Sequence, residues 1–190
     1  PSKSRGLGDV YKRQEIANNR EHNMSKVCIV TGASRGLGRG IAKVLAEERS
    51  ATVYATARSE AALNDLASSI KGNTGVIHPV VLDQSDDSAV EKFITTVAEK
   101  ERRIDLLVNS AYGGLTAMTP HFGKPFWERP ISVFDASIDI GLRSAFVSSA
   151  IVAPHMVSQK SGLIVQVSSF GGHSYLCLLY TSDAADERQS

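Results

Sequence analysis

One stretch constrains this chain more than any other. Thr31-Gly32-Ala33-Ser34-Arg35-Gly36-Leu37-Gly38 follows the apolar run VCIV and precedes an amphipathic segment beginning near Leu37. Glycine lets the backbone turn tightly and approach a ligand closely. The first turn of a helix behind it offers unpaired N–H groups and the positive end of its dipole to an anion. A pyrophosphate suits such a turn. A turn merely rich in glycine is the competing reading, and the strand before and helix after it favour the anion site. No Gly-Lys-Ser/Thr closes the loop, which argues against a nucleoside-triphosphate cradle.

From Lys26 onward short β-branched runs alternate with longer helical patterns, the signature of βαβ units and a parallel sheet. Strands are expected over 27–32, 51–57, 76–82, 104–111 and 162–169. Pro79 cannot donate to a ladder, so the third strand is expected to be irregular or peripheral. Helices are expected over 37–49, with Ile41, Val44 and Leu45 on one face, and from the cap Ser59 through Leu63, Leu66 and Ile70 to Gly72. A third runs from Ser85 to about Glu101 with Val90, Phe93, Ile94 and Val97. Residues 112–130 show no period and contain Gly113, Gly114, Pro120, Gly123 and Pro125, which predicts a long loop acting as a lid or partly disordered. A single long helix is expected over 131–157, with Phe134, Ile138, Leu142, Ile151 and Val152 among its apolar positions. Right-handed crossovers then give an α/β, Rossmann-type doubly wound parallel sheet with ligands at the carboxyl ends of its strands.

Composition narrows the partners. Lys+Arg 21 against Asp+Glu 20 leaves a net charge of +1, which argues against nucleic acid and polybasic membrane binding. A small-molecule partner is expected. No apolar run approaches the roughly 20 residues needed to cross a bilayer. Two cysteines make neither a disulfide framework nor a zinc site, and with no secretory leader the expected compartment is the reducing cytoplasm. His78, His121, His155 and His173 are dispersed, without ligand spacing for a metal.

The termini read differently from the domain. Residues 9–14 are DVYKRQ and residues 177–187 are CLLYTSDAADE. A DNA string encoding the first, reverse-complemented and read one base in, encodes Cys-Leu-Leu-Tyr-Thr-Ser. One sequencing-adapter element in two orientations explains both. The expected organisation is a leader over 1–23, a partial NAD(P)-binding Rossmann domain over 24–176 that is truncated at its C-terminal side, and an adapter-like tail over 177–190. Met24 is the expected start. A truncated sheet is expected to leave an unpaired edge and an uncovered apolar face.

The spacing Thr-Gly-x-x-x-Gly-x-Gly resembles that of the short-chain dehydrogenase/reductase family, over about Lys26 to Gly172. Asp83 closes the third strand, Asn109-Ser110-Ala111 ends the fourth where the family has Asn-Asn-Ala-Gly, and Ser169 ends the fifth. The resemblance implies cofactor contacts from Thr31, Gly32, Ser34, Arg35, Gly36, Leu37, Gly38, Asp83, Asn109 and Ala111. It implies that Ser169, rather than Ser168, binds the reacting oxygen of a carbonyl or alcohol substrate and stabilises charge there. It also implies homo-oligomers built on the long helix.

Charge decides between cofactors. An NAD site places Asp or Glu about 20 residues after the glycine loop, whereas this chain places Arg58 there. Together Arg58 and Arg35 suit a 2′-phosphate dianion, which favours NADP(H) over NAD(H). A solvated helix-entry charge is the plainer reading of Arg58.

Two departures bear on mechanism. The family's proton-handling Tyr and its Lys four residues later have no counterpart here, because Leu179 and Ala184 stand four beyond Tyr175 and Tyr180. Gly141 occupies the place of an Asn that completes a proton relay in many members, and Ser110 and Tyr112 replace the second Asn and the Gly of the usual motif. Two functions therefore stand: an NADP-dependent oxidoreductase for the full-length product, and a catalytically silent dinucleotide-binding fragment or scaffold for this chain alone. Phe126 and Trp127 either wall a substrate pocket or anchor the loop.

Overall fold

The computed structural model describes residues 25–71 and 75–169. Gly72, both adapter-like strings, the leader, Tyr175 and Tyr180 lie outside the described residues. Five strands, β1 (Val27–Thr31), β2 (Thr52–Ala57), β3 (Val76–Val81), β4 (Leu106–Asn109) and β5 (Leu163–Gln166), form one sheet. Every pairing is parallel, in the order β3-β2-β1-β4-β5. Strands buried on both faces need continuous apolar runs, and all five residues of β1 are buried. Pro79 falls in β3, opposite Ala55, at the sheet edge, where a missing N–H costs no ladder bond.

Helices α1 (Gly36–Arg49) and α2 (Glu60–Ser68) follow β1 and β2, and α3 (Asp87–Glu101) follows β3. Their caps differ. The Ser59 hydroxyl accepts the Ala62 N–H at 3.4 Å and the Asp86 carboxylate accepts the Ala89 N–H at 3.0 Å. Asp86, not Ser85, thus starts α3. The amino end of α1 has no side-chain cap at all. Its buried residues are Gly38, Ala42 and Ala46, whereas Ile41 and Leu45 are half-buried and Val44 is exposed. Small residues let α1 lie close to the sheet, and that correction shifts its buried stripe one position from the predicted face.

Residues 112–130 are not a featureless loop. They form the short helix α4 (Gly114–Met118) and two 3-10 turns, Thr119–His121 and Phe126–Glu128. The long helix is likewise interrupted: α5 (Ile131–Ser137) passes through a π turn (Ile138–Arg143) into α6 (Ser144–Ser158). This run of 28 residues is long and apolar enough, by length and composition, to cross a membrane, contrary to the expectation from the sequence. In this fold α6 lays Ser144, Ser148, Val152 and Met156 against the protein interior, one residue per turn. Phe134 and Leu142, expected in that stripe, are exposed.

The core has two halves. One face of the sheet, with Val30, Val53 and Ala55, packs Ala42, Ala46, Leu63 and Leu66 of α1 and α2. The other, with Ile29, Tyr54 and Leu107, packs Val90, Ile94 and Val97 of α3 and Val152 of α6. Full burial of each aliphatic side chain stabilises by roughly 1.5–3 kcal/mol. Cys28 is buried on the first of these faces, where burial and then the Asp105 carboxylate push its thiol up to about 12.

Candidate functional site

Strand order reverses between β1 and β4, so the turns leaving their carboxyl ends diverge and open a crevice. The glycine loop leaves β1 at this point, against the turn that leaves β4. Gly32 has φ +68°, and a β-carbon there would stand 2.7 Å from Ala111 Cα. Only glycine meets both demands. Gly38 lets α1 approach the loop, because its β-carbon would lie 2.6 Å from the Gly32 carbonyl oxygen. Gly36, at φ +57°, has no atom of the described residues within 4 Å of that position. The loop is further tied down by the Ala33 N–H donating to the Thr56 carbonyl at 3.0 Å.

Thr31 joins the two turns. Its hydroxyl oxygen accepts from the backbone N–H of Ser110 at 3.0 Å and of Ala111 at 3.1 Å. Asn109, buried just before them, turns its amide towards α6, donating to the Ala145 carbonyl at 3.3 Å and to Ser149 Oγ at 3.1 Å. Gln166 of β5 donates to the same Ser149 oxygen at 3.0 Å. Val167 extends the pairing by donating to the Asn109 carbonyl at 2.9 Å, which sets Ser169 beyond the carboxyl end of β5 on the crevice side of the sheet. Ser169 is exposed there.

The far end of the crevice is charged. Arg58 follows β2 and Asp83 follows β3, both exposed. Hydrogen bonds from the Ser85 N–H at 2.9 Å and hydroxyl at 2.8 Å hold the Asp83 carboxyl below its usual range, and the Arg58 charge lowers it further. Arg58 and Asp83 therefore feel one another. Arg35 is also exposed, with its guanidinium donating to the Thr116 hydroxyl of α4 at 3.1 Å. Ser34 and Leu37 complete the loop, Leu37 with its side chain largely in solvent.

The loop structure fits a bound pyrophosphate. An uncapped amino end, no acidic residue in the first turn of α1, and open space over Gly36 leave N–H donors facing a volume that a β-carbon would enter.

Sequence reading missed a buried polar bridge between the sheet and α6. Gln84 donates to Thr56 Oγ1 at 3.3 Å and accepts from Ser148 Oγ at 3.2 Å, linking β2 to α6. Ser148 and Ser149, two small polar residues inside an apolar helix, were the available signal. In the turn before α5, Phe126 and Trp127 meet edge to face at 5.3 Å between ring centres, and both are exposed.

Comparison with known proteins agrees with this architecture. A family model described as short chain dehydrogenase matches residues 26–182. "Dehydrogenase/reductase SDR family member 1" of Mus musculus is 43% identical over 152 residues, and that of Homo sapiens 41% identical, each alignment covering 80% of this chain and 48% of the relative. The chain thus spans about half the length of these curated relatives. A solved structure of a metagenomic short-chain oxidoreductase in complex with NADP is 31% identical with a TM-score of 0.68, covering 80% of this chain and 65% of that one.

Proposed function

The chain belongs to the short-chain dehydrogenase family, and on that premise we propose that its full-length protein is an NADP-dependent oxidoreductase interconverting a small-molecule carbonyl and alcohol. The observation that carries the reading is the uncapped amino end of α1 under open space at Gly36, with Arg58 rather than an acid at the end of β2. Nicotinamide, when bound, supplies or accepts the hydride.

The residues of this chain do the rest. N–H groups at the start of α1 hold the pyrophosphate, and Gly36 leaves it room. Arg58 pairs with the 2′-phosphate, while Arg35 reaches the same anion by exchanging its bond to Thr116. Asp83 takes the adenine end, and Thr31 holds the Ser110–Ala111 turn in register beside the dinucleotide. Ser169 binds the reacting oxygen and stabilises charge on it. The NADP complex of the metagenomic relative supports the choice of cofactor.

Titrating the protein with NADPH and NADH by nucleotide fluorescence tests the reading. Arg58→Glu is expected to weaken NADPH by at least about tenfold while leaving NADH within roughly threefold, because the lost pair is charge-assisted. Equal losses for both nucleotides would refute the NADP assignment.

A further inference from the structure

The departures at positions 112 and 141 are one structural feature. A β-carbon at Gly141 would lie 3.1 Å and 3.3 Å from Cδ2 and Cε2 of Tyr112, so the ring rests where a side chain at 141 would begin. The neighbouring glycines fit the same fold-back. A β-carbon at Gly114 would run into Ser137 Oγ and the Tyr112 hydroxyl, and one at Gly113 would stand 2.8 Å from the Ala136 carbonyl. The helix beneath is locally a π turn, a distortion frequent at functional sites.

Hydrogen bonding fixes the direction of the protons. Ser137 Oγ donates its only proton to the Val133 carbonyl at 2.8 Å. Tyr112 Oη lies 3.3 Å from Ser137 Oγ, so the phenol is the donor between them and serine the acceptor. Tyr112 thereby commits its proton and keeps its lone pairs. The residue is 49% exposed and follows directly on Ala111, in the turn that lines the crevice. On a half-exposed residue, a phenolic oxygen with its proton engaged is an acceptor awaiting a donor.

We propose that Tyr112 is a specificity-determining residue at the substrate end of this site, selecting substrates that carry a hydroxyl or N–H donor close to the reacting carbonyl. The inference rests on the oxidoreductase reading for its substrate. Gly141 is the positioning half of the pair, since any side chain there would displace the ring.

The test uses 2-hydroxyacetophenone and propiophenone, which differ by a hydroxyl in place of a methyl, with the full-length protein and NADPH. Tyr112→Phe keeps the ring on Gly141 and removes only the acceptor. The ratio of kcat/KM for the hydroxyketone to that for propiophenone is expected to fall roughly 2- to 10-fold, the range of one neutral hydrogen bond, with NADPH affinity unchanged. An unchanged ratio overturns the proposal. If neither ketone is reduced with either nicotinamide, the oxidoreductase reading is the one that fails, and calorimetric binding of the same two ketones decides the inference. A wild-type preference for the hydroxyketone that Tyr112→Phe abolishes upholds it, and equal binding overturns it.

Discussion

The Thr31 hydroxyl accepts the Ala111 N–H at 3.1 Å, and through the same oxygen the Ser110 N–H, so the glycine loop and the end of β4 move as one body. Thr31→Val keeps the shape and removes the acceptor, leaving two part-buried N–H groups without it. The expected loss is about 1–3 kcal/mol. Thr31→Ser keeps the oxygen and should lose less than about 1 kcal/mol. Urea unfolding of the three proteins measures both, and a Thr31→Val variant as stable as wild type would remove the strut from the account.

Gly32 and Gly36 share a left-handed backbone but differ in what surrounds them. Alanine at 32 meets backbone atoms of Ala111 and Ser110 from 2.7 to 2.8 Å, which no rotamer relieves. Gly32→Ala should cost roughly 2–5 kcal/mol from overpacking and the left-handed conformation together. Gly36→Ala meets nothing and should cost only about 1–2 kcal/mol. Its methyl, however, enters the open volume at the head of α1, so NADPH affinity should fall by more than tenfold, on the order of the binding lost when a phosphate is pushed away from N–H donors. Wild-type affinity in Gly36→Ala would place the pyrophosphate elsewhere.

Asn109 is a prediction about folding more than about cofactor. Its Nδ2 serves the Ala145 carbonyl and Ser149, and Ser149 also receives Gln166, so one amide ties β4, α6 and β5 together. Asn109→Asp replaces the donor with a carboxylate facing a carbonyl oxygen. A loss of roughly 2–4 kcal/mol is expected, with amide exchange rising first in β5. Uniform exchange across the sheet would contradict the local tie.

What the sequence shows of this molecule follows from how far each signal reaches. The strands and the glycine loop are legible because burial on both faces demands unbroken apolar runs and the turn demands glycine at fixed offsets. Pro79 even marks the outer strand, since its missing N–H is tolerated there. The helix α4 is not legible, because five residues are too few to display a period. Nor is the π turn, which coincides with the contact of Tyr112 on Gly141, residues 29 positions apart in sequence. The Gln84–Ser148 bridge is only half legible: Ser148 stands out as a polar residue in an apolar helix, but its partner, 64 positions away, is chosen by topology.

Two partly buried groups set the acid limb of stability, in different windows. Burial works against the Asp105 carboxylate, but hydrogen bonds from Arg103 and from the Val27 N–H at 2.9 Å, with the charges of Arg103 and Lys26, bring its pKa below 3.8 overall. A carboxyl depressed on folding stabilises fully above its unfolded pKa, and that stability is lost as pH falls through the folded value. The loss therefore lies below about pH 4. His78 stacks on Tyr54 at 4.9 Å, and burial, then the Lys100 charge, lower its pKa from 6.5 against the weaker pull of Glu101. A histidine depressed on folding likewise favours the native state above its unfolded pKa. Its contribution is lost as pH falls from about 6.5 towards the folded value, a milder window than that of Asp105. His78→Phe keeps a ring against Tyr54 and removes the titration. Thermal melts from about pH 7.5 to 5 should fall for wild type and flatten for His78→Phe, while Asp105→Asn should lower the melt at every pH above about 4 and leave the His78 slope in place. A wild-type slope that survives His78→Phe would assign the mild-acid limb to another group.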